Sequence, residues 1–237
     1  MVAAGDLEPG DKLRSERQMM LDYGVARGTI KLALKTLAAE GLIVAEHGRG
    51  SFVRPRPPIT RSARQRFRRS HRDNNGKAAF LAEAEADGRV PSVEMLRIGA
   101  PDPAPAWAAE KLDLAPGEPV LTRHRIYFSD GEPEQLATSY VPWALAEGTR
   151  MVDENPGPGG IYKVLEEGGH RLERFTETVS ARMPTPDEAK LLDLPLGVPL
   201  LILVRTAYDT TGRPVEICDT IKAANRWECE YEWSADS

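Results

Sequence analysis

An α+β fold in two modules is predicted by three features of the 237-residue sequence. The first is a change of hydrophobic period. Two stretches with helical spacing are followed, before residue 54, by two short apolar runs of strand length. The second is a division of charge: residues 1–72 hold 15 Lys and Arg against 7 Asp and Glu, whereas residues 73–237 hold 16 against 29. A basic module joined to an acidic one argues for a polyanion-binding part tied to a part with a different task. The third is an internal repeat, in which Ala109–Leu121 matches Ala189–Leu201 at 7 of 13 positions with an offset of 80 residues.

In the basic module, Ser15-Glu16-Arg17-Gln18 has the spacing of a capping box and opens a short helix to about Tyr23, ended by Gly24. A second helix is expected from about Ala26 to Glu40, with Ile30, Ala33, Leu34 and Leu37 on its buried side and Gly41 as a left-handed cap. Leu42–Glu46 and Ser51–Arg54 read as paired strands around the turn His47-Gly48-Arg49-Gly50. Helix, tight turn, helix and hairpin together describe a winged helix-turn-helix over residues 1–54. From Arg54 to Arg72 there are eight Arg, three Pro and no acid, so residues 55–76 are expected to be an extended basic linker, either solvated or following phosphates.

In the acidic module, residues 77–237, each copy of the repeat reads as a short helix, a Gly-containing turn, a strand and a hairpin. The hairpins turn at Ser129-Asp130-Gly131 and Thr210-Thr211-Gly212. A helix from about Lys77 to Asp87 and a strand from about Ser92 to Ala100 precede the first copy. Gly157-Pro158-Gly159-Gly160 introduces a helix from about Ile161 to Glu167, and a last strand is expected over Asn225–Tyr231. Two such units argue for a pseudo-symmetric antiparallel sheet flanked by helices, with a ligand cleft between the halves.

The longest aliphatic run, Pro199–Val204, is too short to span a bilayer. No charged leader with an apolar core is seen, so neither secretion nor membrane insertion is expected, and a reduced, cytoplasmic compartment is. Cys218 and Cys229 cannot make a disulfide scaffold or a four-ligand zinc site, and no metal or cofactor is expected.

The cations of the first module fall at coherent positions. Arg27, Lys31 and Lys35 lie at i, i+4 and i+8 on the second helix, opposite its apolar stripe, as a helix in the major groove requires. Gly28 and Thr29 sit in its first turn, Arg14, Ser15 and Arg17 stand at the start of the preceding helix, and Arg49 at the wing tip is placed for the minor groove.

These residues carry a family resemblance. Leu7–Leu13, Ser15-Glu16-Arg17, Tyr23–Lys31, Leu37–Ile43 and Gly48–Val53 resemble the winged-helix domain of GntR-type regulators over nearly all of residues 5–54. The resemblance implies that Arg17, Arg27, Lys31, and His47 with Gly48 and Arg49 hold operator DNA. It also marks departures: Arg14 replaces the usual Pro, Ala26 the usual capping Ser and Lys31 the usual Arg. The family's first helix is represented only by its tail in Met1–Gly5, so the true start is expected upstream.

The acidic module resembles the UTRA domain, of chorismate-lyase-like fold, which marks the HutC subfamily. Leu121–Arg125, Gly131-Glu132-Pro133, Thr138–Pro142, Gly160–Glu166 and Gly212–Glu216 carry that likeness. It implies a small effector, often a phosphorylated sugar, between the paired Arg, the helix after the glycine-rich loop and a Glu on a late strand. Arg123 and Arg125 share a strand face and suit an anion, the helix start near Gly160 offers backbone donors, and Glu216 offers an acceptor. Ala137, Gly160 and Lys222 stand where relatives have Glu, Ser and Tyr, which points to an anionic, less hydroxylated ligand.

The expectation is therefore a homodimeric transcriptional repressor that binds double-stranded operator DNA and is released by an anionic effector. Two alternatives stay open. One is a regulator of a mobile element or plasmid whose second domain only dimerises. The other is a lyase-like enzyme. Against the enzyme, none of His47, His71, His124 and His170 forms a nucleophile–base pair with a partner in sequence, and no catalytic residue is assigned.

Overall fold

The structure, a computed structural model, describes residues 7–8, 10–46, 49–54, 59–62, 79–194 and 197–233. Its packing divides the chain into two units, one of residues 1–58, 183–200 and 223–227, the other of residues 59–182, 201–222 and 228–237.

In the first unit, α1 (Glu16–Tyr23) begins at the Ser15 cap, whose Oγ accepts from the Gln18 amide at 3.2 Å. The reciprocal half of the expected capping box is replaced: the Gln18 side chain donates to Asp22 at 2.8 Å instead. Gly24, at φ 62°, ends the helix in the left-handed conformation that glycine adopts without steric cost. Helix α2 (Arg27–Ala39) starts at Ala26, which makes no side-chain cap. Its buried stripe is narrower than the periodicity predicts: Ile30 is buried, Leu34 and Leu37 are half-buried, and Ala33 is exposed. Strands β1 (Ile43–Glu46) and β2 (Gly50–Val53) pair antiparallel and complete the winged helix-turn-helix.

The linker expected over residues 55–76 is not uniformly extended and solvated. Ile59–Ser62 form β3, which pairs with β10 (Trp227–Glu230). Ile59 is fully buried, and the buried Arg61 donates from Nη1 to Glu177 Oε1 at 2.8 Å and from Nη2 to Oε2. Arg61 is thus tied to a carboxylate, not to solvent or phosphate. Tyr231 adds a third bond to the same carboxylate at 3.0 Å. Residues 55–58 and 63–76 lie outside the described residues.

The acidic module is built as the repeat predicts. After α3 (Ala79–Ala86) and β4 (Pro91–Pro103), α4 (Ala106–Lys111) leads into the hairpin β5 (Pro119–Ser129) and β6 (Glu132–Pro142). A short helix α5 (Trp143–Ala146), a 3-10 turn at Arg150–Val152, α6 (Gly160–Glu167) and β7 (Leu172–Arg182) follow. Then α7 (Pro186–Leu191) leads into the second hairpin, β8 (Leu200–Asp209) and β9 (Pro214–Ala223). The strands lie in the order β4-β5-β6-β9-β8-β7, so each repeat supplies one half of the sheet and the symmetry falls between β6 and β9. The repeats agree in backbone detail. Leu112 and Leu192 cap their helices and are buried, and the residues after them, Asp113 and Asp193, both take positive φ (55° and 45°).

Register fixes which side chains share a face. Arg123 pairs with Ser139 and Ser139 with Cys218; Arg125 pairs with Ala137 and Ala137 with Thr220; Tyr127 pairs with Gln135 and Gln135 with Lys222. Paired residues project to the same side, so this face of the central strands is largely polar. Leu121, Val141, Met151, Ile161, Leu165 and Leu172 form the apolar cluster beside it, and Leu112, Val120 and Ile217 form a second one.

The second hairpin is closed by Asp209, whose Oδ1 accepts from the Thr211 amide (2.9 Å), the Thr211 hydroxyl (2.6 Å) and the Arg213 amide (3.1 Å). Its Oδ2 lies 3.0 Å from His170 Nδ1. Burial alone would raise this carboxyl, but the bonds from His170 and Thr211 outweigh it and hold the pKa at about 2 instead of 3.8. A lowered folded-state pKa gives stability that is present above pH 4 and is lost as pH falls toward 2. Asp209→Asn is therefore expected to lose about 2 kcal/mol at pH 7 and to flatten the acid limb of the stability curve between pH 4 and 2, read by urea denaturation. Glu177→Gln removes a carboxylate charge from beside the buried Arg61. It is expected to cost about 3 kcal/mol and to speed amide exchange in residues 59–62, read by denaturation and hydrogen exchange.

Candidate functional site

The first unit presents its cations on an exposed helix face. Arg27, Gly28, Thr29, Lys31 and Lys35 of α2 are all exposed, as are Arg14, Ser15 and Arg17 around the start of α1. Two of the cations have acidic neighbours: Arg14 Nη1 lies 2.6 Å from Asp22, and Arg27 Nε lies 2.9 Å from Glu16. The Gln18 amide and the Arg14 guanidinium hold the Asp22 carboxyl below its ordinary range. Arg49 stands at the start of the wing strand with its guanidinium 5.4 Å from the Phe52 ring centroid, and Lys12 approaches the same ring at 5.7 Å. His47 and Gly48 lie outside the described residues. Lys12, on an isolated bridge to Phe52, is a cation at the wing that sequence reasoning missed.

The second unit holds a cavity of about 580 Å³, inside the range of small-molecule sites. Strand β5 contributes Arg123, Arg125 and Tyr127, and β4 contributes Val93 and Met95. Leu81 of α3, the loop Glu154–Pro158, and Gly160 and Ile161 of α6 supply the remaining walls. Phe80, next to Leu81, is buried against Tyr127 with ring centroids 5.0 Å apart, which anchors α3 to the sheet.

Three of the four sequence-assigned effector residues, Arg123, Arg125 and Gly160, line this cavity, and Glu216 does not. Their chemistry differs from the expected anion fork. Arg123 is 2% exposed, and its Nη1 donates to the carbonyls of Met151 and Asp153 (2.5 Å each) while Nη2 donates to the carbonyl of Glu154 (2.8 Å). The terminal nitrogens therefore hold the cavity wall, although their charge is left without a carboxylate partner. Burial, with the Arg125 charge beside it, lowers the Arg123 pKa to about 10, so it stays cationic at neutral pH. Arg125 Nη2 donates to Ser139 Oγ at 2.5 Å, and the buried Nε atoms of both arginines have no hydrogen-bond partner.

Glu216 is fully buried and already engaged. Tyr162 donates to it at 3.0 Å, and Arg205 Nη2 lies 3.3 and 3.4 Å from its two oxygens. Burial pushes the Tyr162 phenol well above its ordinary value, which keeps it a donor. Glu216, expected to accept from a ligand, stands outside the cavity lining and accepts here from Tyr162 and Arg205. Arg205 is a further residue that sequence reasoning missed, and the repeat could have found it, since it lies 80 positions after Arg125. Gly160 also differs from expectation. Its own amide donates to the Gly157 carbonyl at 3.1 Å, so this donor is already used within the loop. Gly159 before it must be glycine, because its φ is 79° and a Cβ would meet Lys163 Cβ at 2.7 Å. His124 sits on the opposite face of β5, 2.8 Å from Thr138 Oγ1.

Among the described residues no group of three or more His, Cys, Asp and Glu could hold a metal ion, and no helix is long and apolar enough to cross a membrane. A winged helix-turn-helix with a cationic second helix, on a chain that also carries a cavity-bearing α+β module, defines the class of two-module transcriptional regulators. Residues 1–53 match the bacterial regulatory proteins of the gntR family, and residues 86–228 match the UTRA domain. The chain belongs to the gntR family, as a member with a UTRA domain, and is a transcriptional regulator rather than an enzyme. It is 31% identical over 236 residues to an HTH-type transcriptional regulator of Streptomyces coelicolor, covering 98% of this chain and 88% of that one. It is 25% identical to the HTH-type transcriptional repressor NagR of Bacillus subtilis over 95% of this chain and 87% of the relative. The crystal structure of PhnF from Mycobacterium smegmatis shares the fold, with a TM-score of 0.65 and 23% identity over 97% of this chain and 95% of that one.

Removing Arg123 tests its wall-holding role. Arg123→Met leaves the buried carbonyl of Met151 and the part-buried carbonyls of Asp153 and Glu154 without their shared donor, and is expected to cost about 3 kcal/mol in urea denaturation. Arg123→Lys is expected to recover less than half of that loss, because a point ammonium cannot spread donors across three carbonyls.

Proposed function

We propose that this regulator is a homodimeric repressor that grips a short palindromic operator through α2 and the wing, and that a small anionic effector bound in the Arg123–Arg125 cavity releases it. The observation that carries the effector half is the cavity's charge. Two guanidinium groups face it, and neither is paired with a carboxylate in the hydrogen bonds that hold them. An anion entering there gains the Coulomb attraction of both cations in partly desolvated surroundings.

The operator half rests on the exposed row Arg27, Lys31 and Lys35 with Arg17 beside it. The Arg14 and Arg27 pairs with Asp22 and Glu16 are solvent-exposed, so exchanging these carboxylates for phosphate or base edges costs little. A dimer places one α2 per half-site about one DNA turn apart. The effector acts by binding more tightly to the conformation that does not fit this spacing, which lowers operator affinity.

Salt-titrated gel shifts on DNA upstream of the protein's own gene test the operator half. Arg27→Ala is expected to weaken operator binding by about 1–3 kcal/mol and to narrow the gap between operator and scrambled DNA. Lys31→Ala is expected to weaken both alike and to reduce the slope of log affinity against log salt by about one. Unchanged binding in both variants would remove α2 as the recognition helix.

A further inference from the structure

We infer that the cavity is built for a small amphipathic carboxylic acid, one carboxylate on an aromatic or aliphatic body, and not for a polyhydroxylated phosphate. This assignment rests on the anionic-effector reading above and narrows it. A sugar carries a hydroxyl on nearly every carbon, and each one taken from water without a partner loses binding. Three side-chain acceptors near this cavity, those of Glu216, Asn155 and Ser139, are committed elsewhere. Glu216 accepts from Tyr162 and Arg205 and does not line the cavity. Asn155 Oδ1 accepts from the Gly157 amide at 3.0 Å, and Ser139 Oγ accepts from Arg125. At Gly160 a Cβ would meet nothing within 4 Å, so this stretch of wall is open space with no side chain to offer a hydroxyl group anything. Glu154, the one carboxylate in the lining, is exposed.

What the walls do offer is hydrocarbon. Leu81, Val93, Met95, Ile161 and the rings of Tyr127 and Pro156 surround the space beyond the arginines. Val93 is 46% exposed, and apolar surface left to water around a concavity is what an apolar ligand covers on binding. At the polar end, the Arg125 guanidinium lies 5.9 Å from the Tyr127 ring centroid, so charge and aromatic surface adjoin. A carboxylate suits this end: it is planar and accepts parallel N–H bonds from one guanidinium, and Arg125 is bonded here to the neutral Ser139 hydroxyl. Its body then extends over Tyr127 toward Val93 and Met95.

The test is isothermal titration calorimetry on the full chain with four probes: phenylacetate, octanoate, glucosamine 6-phosphate and inorganic phosphate. One of the two acids is expected to bind at least about tenfold more tightly than either phosphate. Val93→Ser, at a position exposed enough to leave the fold intact, is expected to weaken acid binding about fivefold and to leave the phosphate signals unchanged. Arg125→Gln is expected to abolish the acid signal. Tighter binding of glucosamine 6-phosphate than of both acids overturns this assignment and leaves the anionic-effector reading standing. No heat from any of the four probes overturns that reading and the assignment together.

Discussion

The buried guanidinium of Arg123 is the constraint on which the second module depends. A charge that is 2% exposed must recover its lost hydration from fixed dipoles, and Arg123 does so from the carbonyls of Met151, Asp153 and Glu154. Those carbonyls belong to a 3-10 turn and the loop after it, which have no ladder of their own to satisfy them. Each side therefore supplies what the other lacks. The bond set pins the loop that leads through Pro156 and Gly159 into α6, and so places Ile161 against the cavity and Tyr162 against Glu216. Neutral partners take up the terminal nitrogens with no carboxylate among them, so the residue that fixes the wall also brings a positive charge to the cavity.

A polar sheet face is an unusual place for a core, and the central strands handle it by pairing groups with one another. Lys222, fully buried, donates to Gln135 directly opposite it on β6, and Cys218 lies 3.5 Å from Thr220 Oγ1 on its own strand. Glu216 joins Tyr162 and Arg205, with the Arg205 guanidinium also 5.4 Å from the Tyr162 ring centroid. Buried networks satisfied in this way specify one arrangement of the strands, because a slip by one residue would orphan every member. The polar face beyond Arg125 is a scaffold, and the cavity lies toward β4, where Val93 and Met95 bring hydrocarbon to the edge of the sheet.

Local patterns in the sequence were enough to read the elements and their pairing. The Ser15 cap, the helical stripe of α2 and the offset of 80 residues each reflect interactions between residues close in the chain or copied within it. The symmetry of the sheet follows from the repeat almost without further information. What could not be read was which partner a charged side chain takes. Alternation on β5 places Arg123 and Arg125 on one face, yet nothing in that alternation says that Arg123 meets carbonyls about 30 residues away while Arg125 keeps an Nε free. Glu216 looks like a ligand acceptor until Tyr162, 54 residues distant, is seen to occupy it. Arg61 sits in a run that reads as linker, because its partner Glu177 is 116 residues away. Val93 and Met95 carry no signal beyond being apolar residues on a strand.

These fates sort the arginines by partner, and the sorting matches what each has to do. Arg61, in contact with a carboxylate and 2% exposed, is a joint: giving up Glu177 would remove a counter-charge from beside a buried cation, so a passing anion competes poorly for it. Arg14 and Arg27 also touch carboxylates, but with side chains 68% and 67% exposed, where water already screens the attraction and the pair contributes little. Such pairs hold a side chain in a ready pose and release it cheaply when a stronger anion such as DNA arrives. Arg123 and Arg125 form a third case, desolvated but bonded to neutral oxygen. No carboxylate is hydrogen-bonded to either, so an anion that reaches them meets a stronger field than at the surface and displaces no acid from them to enter. The two modules therefore present cations of different kinds, exchangeable ones on the helix face and ones in the cavity that are bonded only to neutral oxygen.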